Sequence, residues 1–77
     1  MHYIIRYQEG NSIKYKLTED NNIDSVEVEL RDKGINQYAI RCNQIPFSEY
    51  FRDTTGIYLS DMALDLYYAN SQDINNQ

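Results

Sequence analysis

The sequence predicts an α+β fold: a small antiparallel sheet built from a β-hairpin, a helix and a third strand, covered on one face by helices, with two C-terminal helices. Three observations favour this fold. Residues 2–17 alternate between apolar and polar side chains around a Gly–Asn pair. Residues 22–34 carry the signals of a helix start and a helix end. Two later segments repeat apolar residues at helical spacing.

The length bounds the organisation of the chain. Its 77 residues suit one domain, which we place at residues 1–70, followed by a disordered polar tail at 71–77. A chain this short has a thin core, so it leaves no room for a buried cofactor and none is expected. A homodimer would help to stabilise so small a chain.

Composition and charge set the expected compartment. Cys42 is the only cysteine, so no intramolecular disulfide can form, which suits a reducing cytosol. The N-terminal residues do not resemble a secretory leader, and no apolar run approaches membrane-spanning length. We therefore expect a cytoplasmic protein without membrane association. The net charge of -5 argues against binding nucleic acid through overall charge.

The hairpin joins strands predicted at His2–Gln8 and Ser12–Leu17, because Gly10 and Asn11 tolerate the backbone of a tight turn. With a turn over QEGNS, one face of the sheet carries the apolar side chains of all three strands. We expect helices to cover that face, which bears Tyr3, Ile5, Tyr7, Ile13, Tyr15, Leu17, Tyr38 and Ile40. The other face, with Ile4 on it, would be open to water or to a partner.

Residues 23–33 fit two structures. Valines and Leu30 alternate with glutamates, which favours a strand. The ends favour a helix, because Asn22 suits an N-cap and Gly34 suits the position after a helix C-terminus. Charges at both ends match the helix dipole, and two Glu-to-cation pairs are four residues apart. We predict a helix; the alternative is a second hairpin.

The C-terminal half completes the predicted order. Gln37–Cys42 alternates and reads as the third strand. Pro46 suits the first turn of a short helix, which would end by Gly56. Ser60 suits the N-cap of a final helix, which fades by Asn70.

The candidate catalytic and metal-binding groups are few. His2 is the only histidine and lies at the N-terminus, where it would be poorly positioned for proton transfer. Cys42 falls on the predicted core face, where a thiol acts as a small apolar group. Asp61 and Asp65 lie four residues apart, but two carboxylates alone make a weak cation site. We therefore expect a protein that is not an enzyme and binds no metal.

A basic sheet face is the first candidate binding surface. In the predicted register, four of the seven Lys and Arg residues leave the open face of the sheet together: Arg6, Lys14, Lys16 and Arg41. Polar side chains are the default on a solvated sheet face, so these charges need no function. Alternatively, they would give weak binding to nucleic acid.

An aromatic helical end is the second candidate. The two C-terminal helices concentrate five aromatic side chains: Phe47, Tyr50, Phe51, Tyr67 and Tyr68. Aromatic residues are enriched at protein interfaces, and adjacent tyrosines on one helix cannot both face inward. This group either binds a protein partner or closes the core.

These observations lead to one expected function and two alternatives. We expect a small, non-enzymatic regulatory protein that occludes a macromolecular partner, with a protein as that partner. Frequent Asn and scarce Ala suggest an AT-rich coding sequence, which is typical of a phage or mobile-element inhibitor. The alternatives are a weak nucleic-acid-binding domain that uses the basic sheet face, and an acidic mimic of nucleic acid.

Overall fold

A computed structural model describes residues 1–50 and 61–74 of the chain. It confirms the predicted α+β class, with a hairpin, a helix, a third strand and two further helices. The elements are β1 (His2–Glu9), β2 (Ser12–Glu19), α1 (Ile23–Asp32, after a 3₁₀ turn at Asp20–Asn22), β3 (Tyr38–Asn43), α2 (Phe47–Tyr50), α3 (Asp61–Ala69) and β4 (Gln72–Asp73). The strands form one antiparallel sheet in the order β2-β1-β3-β4.

The hairpin loop has only two residues. Glu9 pairs with Ser12, which leaves Gly10 and Asn11 between the strands. Gly10 has a φ of 64°, and Asn11 is not among the residues with positive φ. A positive φ at the first central position alone matches a type II′ turn, which fits the twist of a hairpin.

This loop length sets a register one residue away from the predicted one. Ile4 pairs with Leu17, and Ile5 pairs with Lys16. A slip of one residue moves every side chain of a strand to the other face. Face A therefore carries Tyr3, Ile5, Tyr7, Lys14, Lys16, Tyr38, Ile40 and Cys42, and face B carries His2, Ile4, Arg6, Ile13, Tyr15, Leu17 and Arg41.

Helices cover both faces of the sheet, so the prediction that one face is open was wrong. On face A, Ile5 and Tyr7 pack with Leu30 of α1. On face B, Ile4 packs with Ala63 and Tyr67 of α3. The register is the reason for this difference. The predicted register placed Ile4 among solvated charges on an open face, whereas Ile4 is fully buried in the structure.

The predicted helix at residues 23–33 is confirmed as α1. Gly34 follows its C-terminus with a φ of 79°. The amide of Gly34 donates to the carbonyl of Arg31, and the amide of Ile35 donates to the carbonyl of Leu30, each at 2.9 Å. These two bonds form a Schellman motif, which satisfies carbonyls that a helix end would otherwise leave unpaired. Asn22 occupies the N-cap position, although its side chain makes no capping hydrogen bond.

A short helix is present where it was predicted, but α2 begins at Phe47, one residue after Pro46, which was predicted in its first turn. The carbonyl of Pro46 accepts a hydrogen bond from the amide of Tyr50 at 3.0 Å. The predicted boundaries at Gly56 and Ser60, and the predicted site residue Phe51, lie outside the described residues.

The chain after α3 returns to the sheet. Gln72 pairs with Cys42, and Asp73 pairs with Arg41, so these two residues form the short strand β4 beside β3. The predicted disordered tail therefore needs correction at this strand. Backbone pairing with β3 orders residues 72 and 73, which the polar side chains alone did not indicate. Residues 75–77 lie outside the described part of the chain.

Candidate partner-binding surface

The predicted aromatic helical end is organised around Tyr67, which is fully buried. The rings of Phe47 and Tyr50 each meet the Tyr67 ring edge-on, with centroids 5.4 Å away. The Tyr67 hydroxyl donates a hydrogen bond to the carbonyl of Ile45. The pKa of Tyr67 is raised to about 12, mainly because the hydroxyl is buried and to a smaller extent because Tyr50 lies nearby. Tyr67 therefore closes the core and supports Phe47 and Tyr50 from within.

Tyr68 takes a different position on face B, where it lies against two arginines. The guanidinium carbon of Arg41 lies 4.1 Å from the centroid of the Tyr68 ring, and that of Arg6 lies 5.5 Å from it. Arg41 Nη1 also donates to the Tyr68 carbonyl at 2.9 Å. Cation–π contacts of this kind hold both the ring and the cations in place.

Tyr15 completes the group beside Tyr68. Its ring lies 5.8 Å from the Tyr68 ring, and its hydroxyl donates a hydrogen bond to the Asp65 carboxylate. Burial, together with this carboxylate, raises the pKa of Tyr15 to about 12. These contacts fasten α3 to β2, so Tyr15 and Asp65 have a structural role.

The predicted basic sheet face does not form, because the register divides its members. Arg6 and Arg41 lie on face B against Tyr68, as described above. Lys14 and Lys16 lie on face A, where their ammonium groups are 2.8 Å from carboxylate oxygens of Glu9 and Glu29 respectively. Hydrogen bonds from these lysines lower the pKa of both glutamates below the usual range. No single face gathers the four charges.

A shallow cleft of about 310 Å³ opens beside Tyr67, at the end of the β1–β2 hairpin far from its turn. Its apolar walls come from Leu17, Phe47 and Tyr67, and its polar rim includes His2, Glu19 and Ser48. Leu17 remains 45% exposed. Two residues that contact Tyr67 without lining the cleft are also exposed, Ile45 by 46% and Tyr50 by 36%. We call the set Leu17, Ile45, Phe47 and Tyr50, arranged around buried Tyr67, the cleft surface.

Two members of the cleft surface were not predicted as site residues. The sequence predicted Leu17 on the covered face of the sheet, and it did not single out Ile45. The signal that could have found Leu17 is the two-residue loop at Gly10 and Asn11, because that loop places Leu17 opposite Ile4. For Ile45 the sequence holds no such signal.

The candidate catalytic groups lie apart. His2 pairs with Asn43 and Tyr3 pairs with Cys42, so the imidazole and the thiol belong to opposite faces of the sheet. The nearest charged contact of His2 is Glu19, at 3.8 Å between Nδ1 and Oε1. Within residues 1–50 and 61–74, no three His, Cys, Asp or Glu side chains are grouped so as to hold a metal ion.

Two further findings bear on the class of protein. None of the described helices has both the length and the apolar composition needed to cross a membrane. Comparisons of the chain with protein-family models, with curated proteins and with solved structures gave no match. The functional proposal therefore depends on the geometry described above.

Proposed function

We propose that the chain is a small, non-enzymatic binding protein that acts by occluding a protein partner, which it contacts through the cleft surface. The observation that carries the proposal is the position of Leu17, Ile45 and Tyr50. Leu17 and Ile45 are nearly half exposed and Tyr50 is exposed by 36%. They lie around the buried ring of Tyr67, which meets the rings of Phe47 and Tyr50 edge-on and supports the surface. Apolar side chains grouped beside a cleft mark interaction sites more often than scattered ones do.

The chemistry of the cleft favours an apolar or aromatic side chain of a protein as its occupant. Leu17 and Phe47 would contact that side chain, with buried Tyr67 supporting them from beneath, while His2 and Glu19 would meet polar groups around it. An apolar anchor surrounded by a polar rim is the usual anatomy of a protein interface. The volume of about 310 Å³ lies at the bottom of the roughly 300–1,000 Å³ range of small-molecule pockets. It therefore suits one anchoring side chain better than a cofactor.

Charge pairing gives less support to nucleic acid as a ligand. Arg6 and Arg41 are engaged with Tyr68, and the two lysines of β2 each lie beside a glutamate. A polyanion would have to displace these contacts and overcome a net charge of -5. The same pairing removes two carboxylates from any acidic surface that could mimic nucleic acid.

The compartment and the biological setting are parts of the same proposal. A single cysteine suits the cytosol, so we place the binding activity there. Small size and occlusion of a partner suit an inhibitor of phage or mobile-element type. In that setting, binding alone suffices and no catalytic group is needed.

Affinity capture with matched variants tests the proposal. Ile45→Lys places a charge on the cleft surface, and Val28→Lys makes a similar change on α1 at nearly the same exposure, 49% against 46%. We expect a host protein that wild type and Val28→Lys capture equally, and that Ile45→Lys binds at least about tenfold more weakly, a change of ~1.4 kcal/mol. Equal binding by all three chains, or capture of no protein, would contradict the proposal.

A titration against short single- and double-stranded DNA and RNA at low salt tests the competing ligand. We expect no binding at concentrations where the protein partner binds. Binding that weakens with salt, with a log–log slope of about -0.9 per phosphate contact on duplex DNA, would favour the nucleic-acid alternative instead.

A further inference from the structure

Strand β2 forms a long edge of the sheet. It has eight residues, pairs with β1 on one side, and lies at the end of the strand order. Among the strands that the structure describes, none pairs with its other side. An unpaired edge of this length presents a row of backbone donors and acceptors that can bind another strand.

The hairpin register shows which backbone groups are free to pair. Glu9 and Ser12 flank a two-residue loop and form a hydrogen-bonded pair, and such pairs alternate along an antiparallel ladder. The even-numbered residues of β2 therefore direct their peptide groups toward β1. Ile13, Tyr15 and Leu17 direct theirs toward the open edge.

The side chains on this edge are apolar on one face and charge-balanced on the other. Ile13 and Leu17 lie on face B and are each 45% exposed. Lysines on an edge strand usually oppose pairing with another strand. Here, however, Lys14 and Lys16 each have a carboxylate of their own chain at 2.8 Å. These carboxylates compensate the lysine charges that would otherwise oppose pairing.

We propose that β2 pairs antiparallel with β2 of a second copy of this chain, about a two-fold axis at Tyr15. Ile13 of one copy then lies opposite Leu17 of the other, and the two Tyr15 residues face each other. Three of the four residues with outward-directed peptide groups, Ile13, Tyr15 and Leu17, form hydrogen-bonded pairs in this register, whereas Glu19 falls opposite Asn11 of the hairpin loop. The two sheets become one continuous sheet of eight strands, twice the four of a single chain.

The register follows from the same pattern. An axis at Lys16 would also match the hydrogen-bonding groups, but it places Ile13 opposite Glu19 and Lys16 directly opposite Lys16. The axis at Tyr15 pairs apolar with apolar residues on face B instead. On face A it places Lys14 directly opposite Lys16 of the second copy, so lysines oppose each other in both registers and the apolar pairing on face B decides between them. Glu9 and Glu29 of each chain lie beside these lysines and compensate their charge.

A second copy fits this edge better than an unrelated strand. An occupant must carry apolar residues at alternate positions on one face and balanced charges on the other, and β2 itself has this pattern. The chain also has few buried apolar side chains, which are Ile4, Ile5, Tyr7, Leu30, Ala63 and Tyr67 among the described residues. Small domains with thin cores commonly gain stability by associating.

Sedimentation equilibrium over a wide concentration range tests the association. Ile13→Lys places a charge where two apolar side chains should meet, and Ile45→Lys makes the same change at matched exposure, 45% against 46%, away from the edge. We expect wild type and Ile45→Lys to approach twice the 9.1 kDa chain mass. We expect Ile13→Lys to raise the dimer dissociation constant by at least about tenfold. Monomeric wild type at all concentrations, or equal association by both variants, would overturn the proposal.

Disulfide trapping tests the register. In a Cys42→Ser background, chains with Lys14→Cys and chains with Lys16→Cys are mixed and oxidised. Positions 14 and 16 of opposite copies form a non-hydrogen-bonded pair with Cα atoms ~4.5 Å apart, which lies within disulfide range. We expect the mixed disulfide to exceed both self-linked products. Predominant self-linking of the Lys16→Cys chain would overturn the axis at Tyr15.

The dimer edge and the cleft surface share Leu17, which lies in β2 and also lines the cleft, but substitutions at Ile13 and Ile45 test the two surfaces separately. Ile13→Lys should keep its affinity for the protein partner, whereas Ile45→Lys should lose that affinity and keep dimerisation. Loss of both activities in either variant would contradict the separation of the two surfaces, with the far-ultraviolet circular dichroism spectrum as the check of folding.

Discussion

Ile4 and Ile5 are adjacent in β1, and both are fully buried although their side chains point to opposite faces of the sheet. Ile4 meets α3 on face B, and Ile5 meets α1 on face A. Two consecutive buried residues are typical of a strand that is covered on both sides. The central strand β1 therefore carries a core on each face, and each helix layer depends on one of these isoleucines.

Truncation of either isoleucine should destabilise the protein strongly. We expect Ile4→Ala and Ile5→Ala each to lower the free energy of unfolding by about 2–5 kcal/mol, because each deletes buried methyl groups and leaves a cavity. Val28→Ala, at an exposed site on α1, should stay within about 0.5 kcal/mol. Urea denaturation measures all three. An Ile4→Ala effect as small as that of Val28→Ala would mean that face B is solvated.

The end of α1 depends on the conformation of one glycine. Gly34 has a φ of 79°, and a Cβ atom added there would meet nothing within 4 Å. Gly34→Ala should therefore lower stability through backbone conformation alone, by about 1–2 kcal/mol. Gly34→Asn should cost less, because Asn tolerates the left-handed region. Equal stability of the alanine variant and wild type in urea denaturation would show that the Schellman motif does not hold the helix end.

The helix could be predicted from the sequence because its signals are local. Gly34 lies just after the helix within the same short segment, and the structure uses it in the Schellman motif. The alternation that suggested a strand was misleading, because α1 buries Leu30 and leaves Val28 exposed.

The register could not be derived as reliably, because it depends on a single residue in the loop. A loop limited to Gly10 and Asn11 pairs Ile5 with Lys16, whereas one residue more would pair it with a different neighbour. Both loops suit the same residue types. This one step decided which face received Ile4, where the lysines lie, and whether a basic sheet face could exist.

The candidate site required long-range contacts that no local pattern contains. The sequence indicated that Tyr67 and Tyr68 must point in different directions, and they do. It did not indicate that Arg41 would stack on Tyr68, or that Leu17 would border a cleft with Phe47. Such contacts join elements that are distant along the chain.

The contact between Lys16 and Glu29 joins β2 to α1 and should depend on salt and pH. The ammonium group lies 2.8 Å from the Glu29 carboxylate, whereas that of Lys33 lies 3.9 Å from the same carboxylate. Lys16→Gln should therefore lower stability more than Lys33→Gln, although both effects should be small because exposed ion pairs contribute little. Thermal unfolding at low and high salt measures the difference, which should shrink as salt is added. A larger effect at Lys33 would contradict the assignment.

The same contact sets the direction of the acid response. The hydrogen bond from Lys16 lowers the pKa of Glu29 in the folded protein. Its stabilisation is therefore present above the unfolded-state pKa and is lost as the pH falls through the lower, folded-state pKa. Glu29→Gln should flatten this part of the stability curve. If the free energy of unfolding of this variant falls with decreasing pH as steeply as that of wild type, Lys16 does not stabilise the carboxylate.

Alkaline pH should destabilise the face B layer through two tyrosines. Burial is the main cause that raises the pKa of Tyr15 and of Tyr67 from 10.0 to about 12. Above pH 10 the unfolded chain releases these protons while the folded chain retains them, so stability falls as the pH rises through this window.

Ultraviolet titration of tyrosinate and urea denaturation at alkaline pH measure this effect. Wild type should show at least two of its eight tyrosines ionising late, near pH 12 or on unfolding. Tyr15→Phe and Tyr67→Phe should each remove one late proton and flatten the loss of stability between about pH 10 and 12, even though each also removes a hydrogen bond to Asp65 or to the Ile45 carbonyl. Ionisation of both tyrosines near pH 10 in the folded protein would contradict their burial between the sheet and α3.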